Sequence, residues 1–371
     1  MHQRLLIANR GEIALRIARA AAELDIETVA IYADDDARSL HVRRMDQAIA
    51  LGARGTRAYL DIDRVVAIAA ERGCDAVHPG YGFLAENAAF AAAAQAAGMT
   101  FVGPTPALLA AFGDKTAARA LAAAAGVAVL PGTGAATSLE AALQFFDGLP
   151  DGSGMMIKAL AGGGGRGMRI VSTRAEIAAA YERCASEAQA AFGDPSLYVE
   201  RLVRRARHLE VQIIGDRFGG VTHLWDRECT LQRRHQKLVE LAPSPSLNAE
   251  TRTALIDAAL AIARHVRYQS LGTMEFLLSE DGASNELVFI EGNARLQVEH
   301  TVTEEITGVD LVRTQLLLSA GQSLAEVGLA QPPARRGSAV QVRVNMETMQ
   351  ADGSTRPAGG TLSAFDVPFG R

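Results

Sequence analysis

The chain has 371 residues, 49% of them hydrophobic and 21% charged, which excludes a disordered polymer and leaves room for two or three folded domains. A net charge of -5 offers no basic field for nucleic acid, and alanine-rich runs such as AAFAAAAQAAG are too short and too weakly apolar to span a membrane. Cys74, Cys184 and Cys229 lie far apart without a CxxC pair, and MHQRLLIANRGE contains no apolar leader, so buried reduced thiols in a cytoplasmic protein are expected.

RLLIA reads as a first strand, followed by a helix whose Ile13, Ile17, Ala21 and Leu24 recur at helical spacing. TVAIY, AVHP and TFVG read as later strands with helices between them, and Gly73 and Gly98 fall where helices end. This alternation predicts an α/β unit with a parallel sheet. Asp34 to Asp36 close its first repeat as in a dinucleotide fold, but the turn NRGE has one glycine where GxGxxG needs three.

From about residue 115 the texture changes to α+β. A helix over 116–125 leads to GMMIKAL, a glycine run, MRIV, a helix near 174–191 and LYVERLV. HLEVQIIGD, GVTHLWDREC, LGTMEFLLS and ELVFIEGN then read as antiparallel strands. QPPARRG marks a boundary near Gln331, residues 338–371 read as the start of a further β-rich unit, and the ending FDVPFGR suggests a piece of a longer polypeptide.

Five of the six residues Gly162 to Gly167 are glycine, and Gly162, Gly164 and Gly167 satisfy GxGxxG. A strand-like MRIV follows where a dinucleotide site needs a helix, and the nearby lysine precedes the glycines, unlike GxxxxGK[ST]. Strand, glycines, strand describes a hairpin tip whose bare backbone can approach phosphates. Lys115, Lys158 and Lys237 are the only lysines among 37 basic residues, so these positions are candidates for small-anion or phosphate contact.

In FIEGNARLQVEH the odd positions Glu291, Asn293, Arg295, Gln297 and Glu299 are polar and would share one face of an extended chain. Glu291 follows LVFI and Glu275 interrupts TMEFLL; buried carboxylates need cations, and two acids with an Asn suit Mg²⁺. His208, Glu210 and Gln212 share parity, as do His235 and Lys237.

Together IANRGEIALRI, HPGYGFLAEN, GDK, IKALAGGGGRGM, LQRRHQK, MEFL and IEGNARLQVEHTVTE resemble the biotin carboxylase component of biotin-dependent carboxylases, in the ATP-grasp superfamily, up to about Asn345. The resemblance implies a Rossmann-like N-terminal domain (1–113), an ATP-grasp domain (114–330) with a glycine-rich hairpin lid subdomain (about 131–203), and a truncated C-terminal β-rich domain (331–371). It implies activation of bicarbonate by ATP to carboxyphosphate and carboxylation of biotin on a separate carrier domain. Mg²⁺ or Mn²⁺ would be the metal, a carboxyltransferase domain or subunit a further partner, and dimerisation a family habit that truncation weakens.

Carried over residue by residue, Lys115 and Lys158 would contact ATP phosphates beneath Gly164 and Gly165. Glu200, Arg201, Leu202 and Val203 would hold adenine largely through backbone, with His208, Gln232 and His235 near the nucleotide. Glu275, Glu291 and Asn293 would bind the metal. Lys237, Arg295 and the Val298 backbone would bind bicarbonate, Glu299 would be its base, Arg343 would stabilise the biotin enolate, and Tyr81 would lie near the biotin ring. Gly292 and Ala294 depart from bulkier family residues, Arg201 stands where lysine is frequent, and METMQADGSTRPAGG departs from the usual pattern. No Met-Lys-Met carrier site is present. Two alternatives remain open: another ATP-grasp ligase joining a carboxylate to an amine through an acylphosphate, and a non-catalytic ATP-grasp shell.

Overall fold

The computed structural model describes residues 1–160, 167–233, 235–280, 286–352 and 354–366. Strand β1 (Arg4–Ile7) carries fully buried Leu5, Leu6 and Ile7, the continuous apolar run expected of a strand covered on both faces. Each such side chain contributes roughly 1.5–3 kcal/mol on burial. With β2 (Glu27–Tyr32), β3 (Gln47–Ala50), β4 (Ala76–His78) and β5 (Thr100–Phe101) it forms a parallel sheet of order β3-β2-β1-β4-β5.

The predicted parallel sheet is therefore present, with one strand more than the sequence announced. β3 is four half-buried residues at the edge, too short to establish a period. Asp36 has a structural occupation: it accepts from the Tyr59 hydroxyl at 2.8 Å and pairs with Arg10 at 3.1 Å. Helix Gly11–Ala22 buries Ile13, Ile17 and Ala21 as its stripe requires, and Gly73 and Gly98 follow their helices at φ of 63° and 80°.

Strands β6 (Met155–Ala159), β7 (Met168–Val171) and β8 (Leu197–Arg201) form an antiparallel sheet of order β7-β6-β8. The helix Ile177–Phe192 packs on it, burying Ile177, Cys184 and Ala188 against Met155, Ile157 and Leu197. Met155 to Lys158 pair with Val171 to Met168, so strands flank the glycine run as expected; Gly162, Gly164 and Gly165 themselves lie outside the described residues.

The third sheet contains β9 (Ala206–Gly215), β10 (Val221–Arg233), β11 (Gln236–Ala242), β12 (Ser270–Ser279), β13 (Leu287–Asn293) and β14 (Ala339–Val342). Its order is β13-β12-β9-β10-β11-β14, antiparallel throughout. The first strand beyond Gln331, β14, joins this sheet by pairing with β11, while β15 (Glu347–Met349) and β16 (Thr355–Pro357) pair with each other in a separate ribbon.

The departure at Gly292 has a packing partner. A Cβ there would come within 2.5 Å of the Phe112 ring and 3.2 Å of the Met274 sulfur, so Phe112 occupies the volume that a larger residue would need. Among the described residues no helix is long and apolar enough to cross a membrane.

Candidate active site

The register of the large sheet assembles a row of charges. Glu210 on β9 faces Arg227 on one side and Glu275 on the other, and Glu275 faces Glu291. Directly opposed residues of an antiparallel sheet present their side chains to the same face. Adjacent rungs add His208 opposite Leu277, and Gln212, Thr273 and Asn293 in line. The shared parity of His208, Glu210 and Gln212 thus becomes three side chains over one surface.

Glu210 and Glu275 are buried, at 0% and 2% exposure, and require compensating charge. Lys237 supplies much of it. Its Nζ lies 2.6 Å from Glu210 Oε2, 3.0 Å from Glu275 Oε1 and 2.6 Å from Glu299 Oε1. Burial lowers the pKa of such an ammonium, but the surrounding Glu210, Glu275 and Glu299 outweigh burial and hold it well above its ordinary value. Glu275 also meets His208 Nε2 at 2.6 Å, and His208 Nδ1 meets Gln232 at 3.1 Å. Burial raises the Glu275 pKa; Lys237 and His208 more than reverse that, so it stays ionised.

Arg227 is the fully buried cation beneath this surface. Its Nε donates to Glu210 Oε1 at 2.5 Å, Nη1 to Gln212 at 2.8 Å and Thr303 at 2.9 Å, and Nη2 to Thr273 at 3.1 Å and Gln297 at 2.7 Å. All five N–H donors are used. One residue therefore links β9, β12, the segment after β13 and helix His300–Thr307.

The segment after β13 departs from the extended reading. Strand pairing ends at Asn293, and Glu299 sits at the N-cap of helix His300–Thr307, so a turn rather than strand parity delivers it. Gln297 helps to make that turn: it donates to Glu275 at 2.8 Å, accepts from Arg227, and offers its carbonyl to His300 Nδ1 at 2.9 Å. Arg295 donates to Asn293 Oδ1 at 3.1 Å and Leu296 O at 3.2 Å and pairs with Glu86 at 3.0 Å, not with Glu299. Glu299 instead meets Arg343 Nη2 at 2.9 Å, while Arg343 Nε donates to Glu240 at 2.6 Å. Burial alone would raise the Glu299 pKa; Lys237, then Arg227 and Arg343, outweigh it and hold the value at about 2.

A second charge group adjoins the first through Glu291. Lys158 on β6 pairs with Glu200, whose other oxygen meets Arg119 at 3.1 Å. Burial lowers the Lys158 pKa, but Glu200, Tyr198 and Glu291 outweigh it and keep the ammonium charged. The Arg201 and Leu202 amides donate to Pro131 O at 2.9 Å and Gly154 O at 2.8 Å. Both amides are therefore engaged within the protein.

The other sequence candidates occupy the surroundings. His235 lies in the β10–β11 turn at φ 63°, where desolvation and the Lys158 charge hold its pKa below the ordinary value. Lys115 opens helix Lys115–Ala124, capped by Asp114 and packed on β13. Tyr81 is half-buried with its carbonyl accepting from Asn9 at 2.8 Å, in the loop that carries Glu86 to Arg295. Val298 is half-buried in the turn before Glu299.

For a divalent cation, Glu275, Glu291 and Asn293 offer two carboxylates and an amide oxygen, a hard set matching Mg²⁺ or Mn²⁺. Asn293 Nδ2 already donates to Glu275 Oε1 at 2.7 Å, so two of the three are in contact. His208, Glu210 and Glu275 also lie close enough to share an ion, but the Lys237 ammonium sits within 3.0 Å of both carboxylates and opposes a second cation there. Sequence reading missed Arg227, Arg119, Glu86 and Glu240, and gave Glu210 no role. Only Glu210 carried a signal, its parity with His208.

Residues 1–109 match the family described as biotin carboxylase, N-terminal domain, and residues 114–327 match carbamoyl-phosphate synthase L chain, ATP binding domain. Pyruvate carboxylase 1 of Caenorhabditis elegans is 50% identical over 98% of this chain, which spans 31% of that relative's length. The biotin carboxylase domain of Hydrogenobacter thermophilus 2-oxoglutarate carboxylase, solved as a dimer with MgADP, ADP and bicarbonate, is 40% identical with a TM-score of 0.93. It matches over 100% of this chain and 80% of that one. Biotin carboxylase of Campylobacter jejuni, solved with a β-γ-ATP ligand, is 36% identical with a TM-score of 0.92, covering 100% of this chain and 81% of that one. With an ATP-grasp-like α+β region joined to a parallel-sheet N-terminal region, and with relatives that match it end to end, the chain belongs to the biotin carboxylase family of ATP-dependent carboxylases.

Proposed function

We propose that this chain performs the biotin carboxylase half-reaction of a pyruvate or acyl-CoA carboxylase. MgATP phosphorylates bicarbonate, and the resulting carboxyphosphate breaks into phosphate and the CO₂ that joins N1 of biotin on a separate carrier domain, the N1 proton leaving with the phosphate. The observation that carries this is the meeting of Lys237, Arg343 and Glu299 beside Arg295 and the Glu275–Glu291 pair. An amine-joining ligase needs the lysines and the metal-binding acids but has no use for this second group.

Glu299 removes the bicarbonate proton, so that the freed oxygen attacks the γ-phosphorus and the β–γ bridging oxygen leaves with ADP. Lys237 and the outer N–H groups of Arg295 hold the anion, with the Val298 backbone beside them. Lys115 and Lys158 hold the phosphates, the glycine run with Gly164 and Gly165 covers them, and Glu275, Glu291 and Asn293 hold a metal that neutralises phosphate charge when bound. The nucleotide base falls to the stretch Glu200 to Val203, with His208, Gln232 and His235 around the nucleotide. Arg343 and Tyr81 belong to the biotin side. We divide the chain at 113 and 330, with the lid subdomain at about 131–203. A carrier domain, a carboxyltransferase and a second copy of the chain are its partners.

The test is ADP release from MgATP in degassed buffer, with bicarbonate and then free biotin added. Release that starts with bicarbonate and rises with biotin is expected. Release indifferent to bicarbonate would falsify the assignment. Lys158→Arg raises the KM for ATP about tenfold at little change in charge, because a planar fork cannot occupy the narrow place beside Glu200 and Tyr198 as an ammonium does. Unaltered ATP kinetics in that variant would remove Lys158 from the phosphate site.

A further inference from the structure

Trp225 is the only tryptophan of the chain, and its backbone is one that a bulky side chain disfavours: φ is 71°, within strand β10. The pairing of β10 with β9 breaks at this point, between His223 and Asp226. Such a bulge re-aims a side chain out of the strand's regular alternation. His223 holds the kink. Its Nδ1 accepts from the Trp225 amide at 3.2 Å, and its ring stands edge-on to the indole with centroids 5.3 Å apart.

The re-aimed indole reaches the segment that leads into β14. Its Nε1 donates to Pro333 O at 2.8 Å, and the Arg335 guanidinium lies 5.2 Å over its ring. Trp225 and Ala339, the first residue of β14, pack against the same small cluster of Ala242, Val302 and Ile306. The Arg336 amide adds a bond to Ile306 O at 2.7 Å. β14 needs such help: it is a four-residue edge strand, and Val340 and Val342 are each 62% exposed. Its end nevertheless delivers Arg343, whose amide donates to Leu238 O at 2.9 Å and whose side chain meets Glu299.

We propose that Trp225 is a positioning residue whose indole clamps the segment at Pro333 and Arg335 and so seats β14 with Arg343 against Glu299. Pinning the chain just ahead of a short strand shortens the free loop and raises the strand's effective concentration at the β11 edge. The strained backbone is what aims the indole at that carbonyl. This deepens the reading of Arg343 given above and rests on it for its catalytic meaning, though not for the clamp itself.

Trp225→Phe keeps ring packing and removes the N–H; Arg335→Gln keeps a polar, though shorter, side chain and removes the cation. Hydrogen–deuterium exchange of this chain is measured together with the ratio of biotin carboxylation to bicarbonate-dependent ADP release. Both variants are expected to speed exchange at 339–343 about tenfold while β9 and β12 keep their protection. The ratio falls about fivefold with the KM for ATP unchanged. Unchanged exchange at 339–343, or protection lost evenly across the sheet, overturns the clamp. If the parent chain shows no bicarbonate-dependent ADP release, the functional reading fails by itself, and the exchange comparison still decides the clamp.

Discussion

Arg227→Met lowers stability by about 3–5 kcal/mol, read as an earlier denaturant transition of the part containing the six-stranded sheet. The side chain is fully buried and bonds five partners, among them Glu210, whose exposure is 0%. Methionine fills similar volume but donates nothing, so Glu210 keeps only Lys237, and Gln212, Gln297 and two threonines lose a donor. Adding Glu210→Gln to Arg227→Met recovers part of the loss, since the stranded charge goes with it. A double variant as unstable as the sum of its parts would show that the two act independently. Activity falls as well, because Gln297 shapes the turn that presents Glu299.

Glu299→Gln leaves MgATP binding unchanged and lowers bicarbonate-dependent turnover at least a hundredfold, the range of a lost general base. Glutamine keeps the shape of the turn and cannot take a proton. Full turnover in the variant would remove Glu299 as the base. The resting carboxylate is held at about 2, a weak base at neutral pH, chiefly through Lys237. Because the folded pKa lies below the ordinary 4.5, the ionised group adds stability that is fully present above that value and is lost as pH falls toward 2. The acid limb of the stability profile between about 4.5 and 2 is therefore shallower in Glu299→Gln.

What the sequence disclosed followed from periodicity and parity, which are local. The parallel sheet was legible in RLLIA, TVAIY, AVHP and TFVG, and the convergence of His208, Glu210 and Gln212 in their alternation. The four-residue β3 and the attachment of β14 to β11 were not, because short edge strands are decided by pairing partners far away in the chain. Arg227 was illegible for a different reason. A buried arginine looks in sequence like any solvated one, and only its five partners, drawn from distant segments, distinguish it. The extended reading of FIEGNARLQVEH failed after Asn293, where the bonds of Gln297 bend the chain into a turn.

Lysine persists at 237 in a chain that otherwise uses arginine almost exclusively, and the Glu210–Glu275–Glu299 arrangement explains why. An ammonium is tetrahedral, with three hydrogens splayed apart, and three carboxylates approach it from β9, β12 and the turn before His300. A guanidinium keeps its hydrogens in one plane and could satisfy two of those acids only by abandoning the third. The preference for arginine elsewhere in the chain meets at this position a limit set by the geometry of a single nitrogen atom.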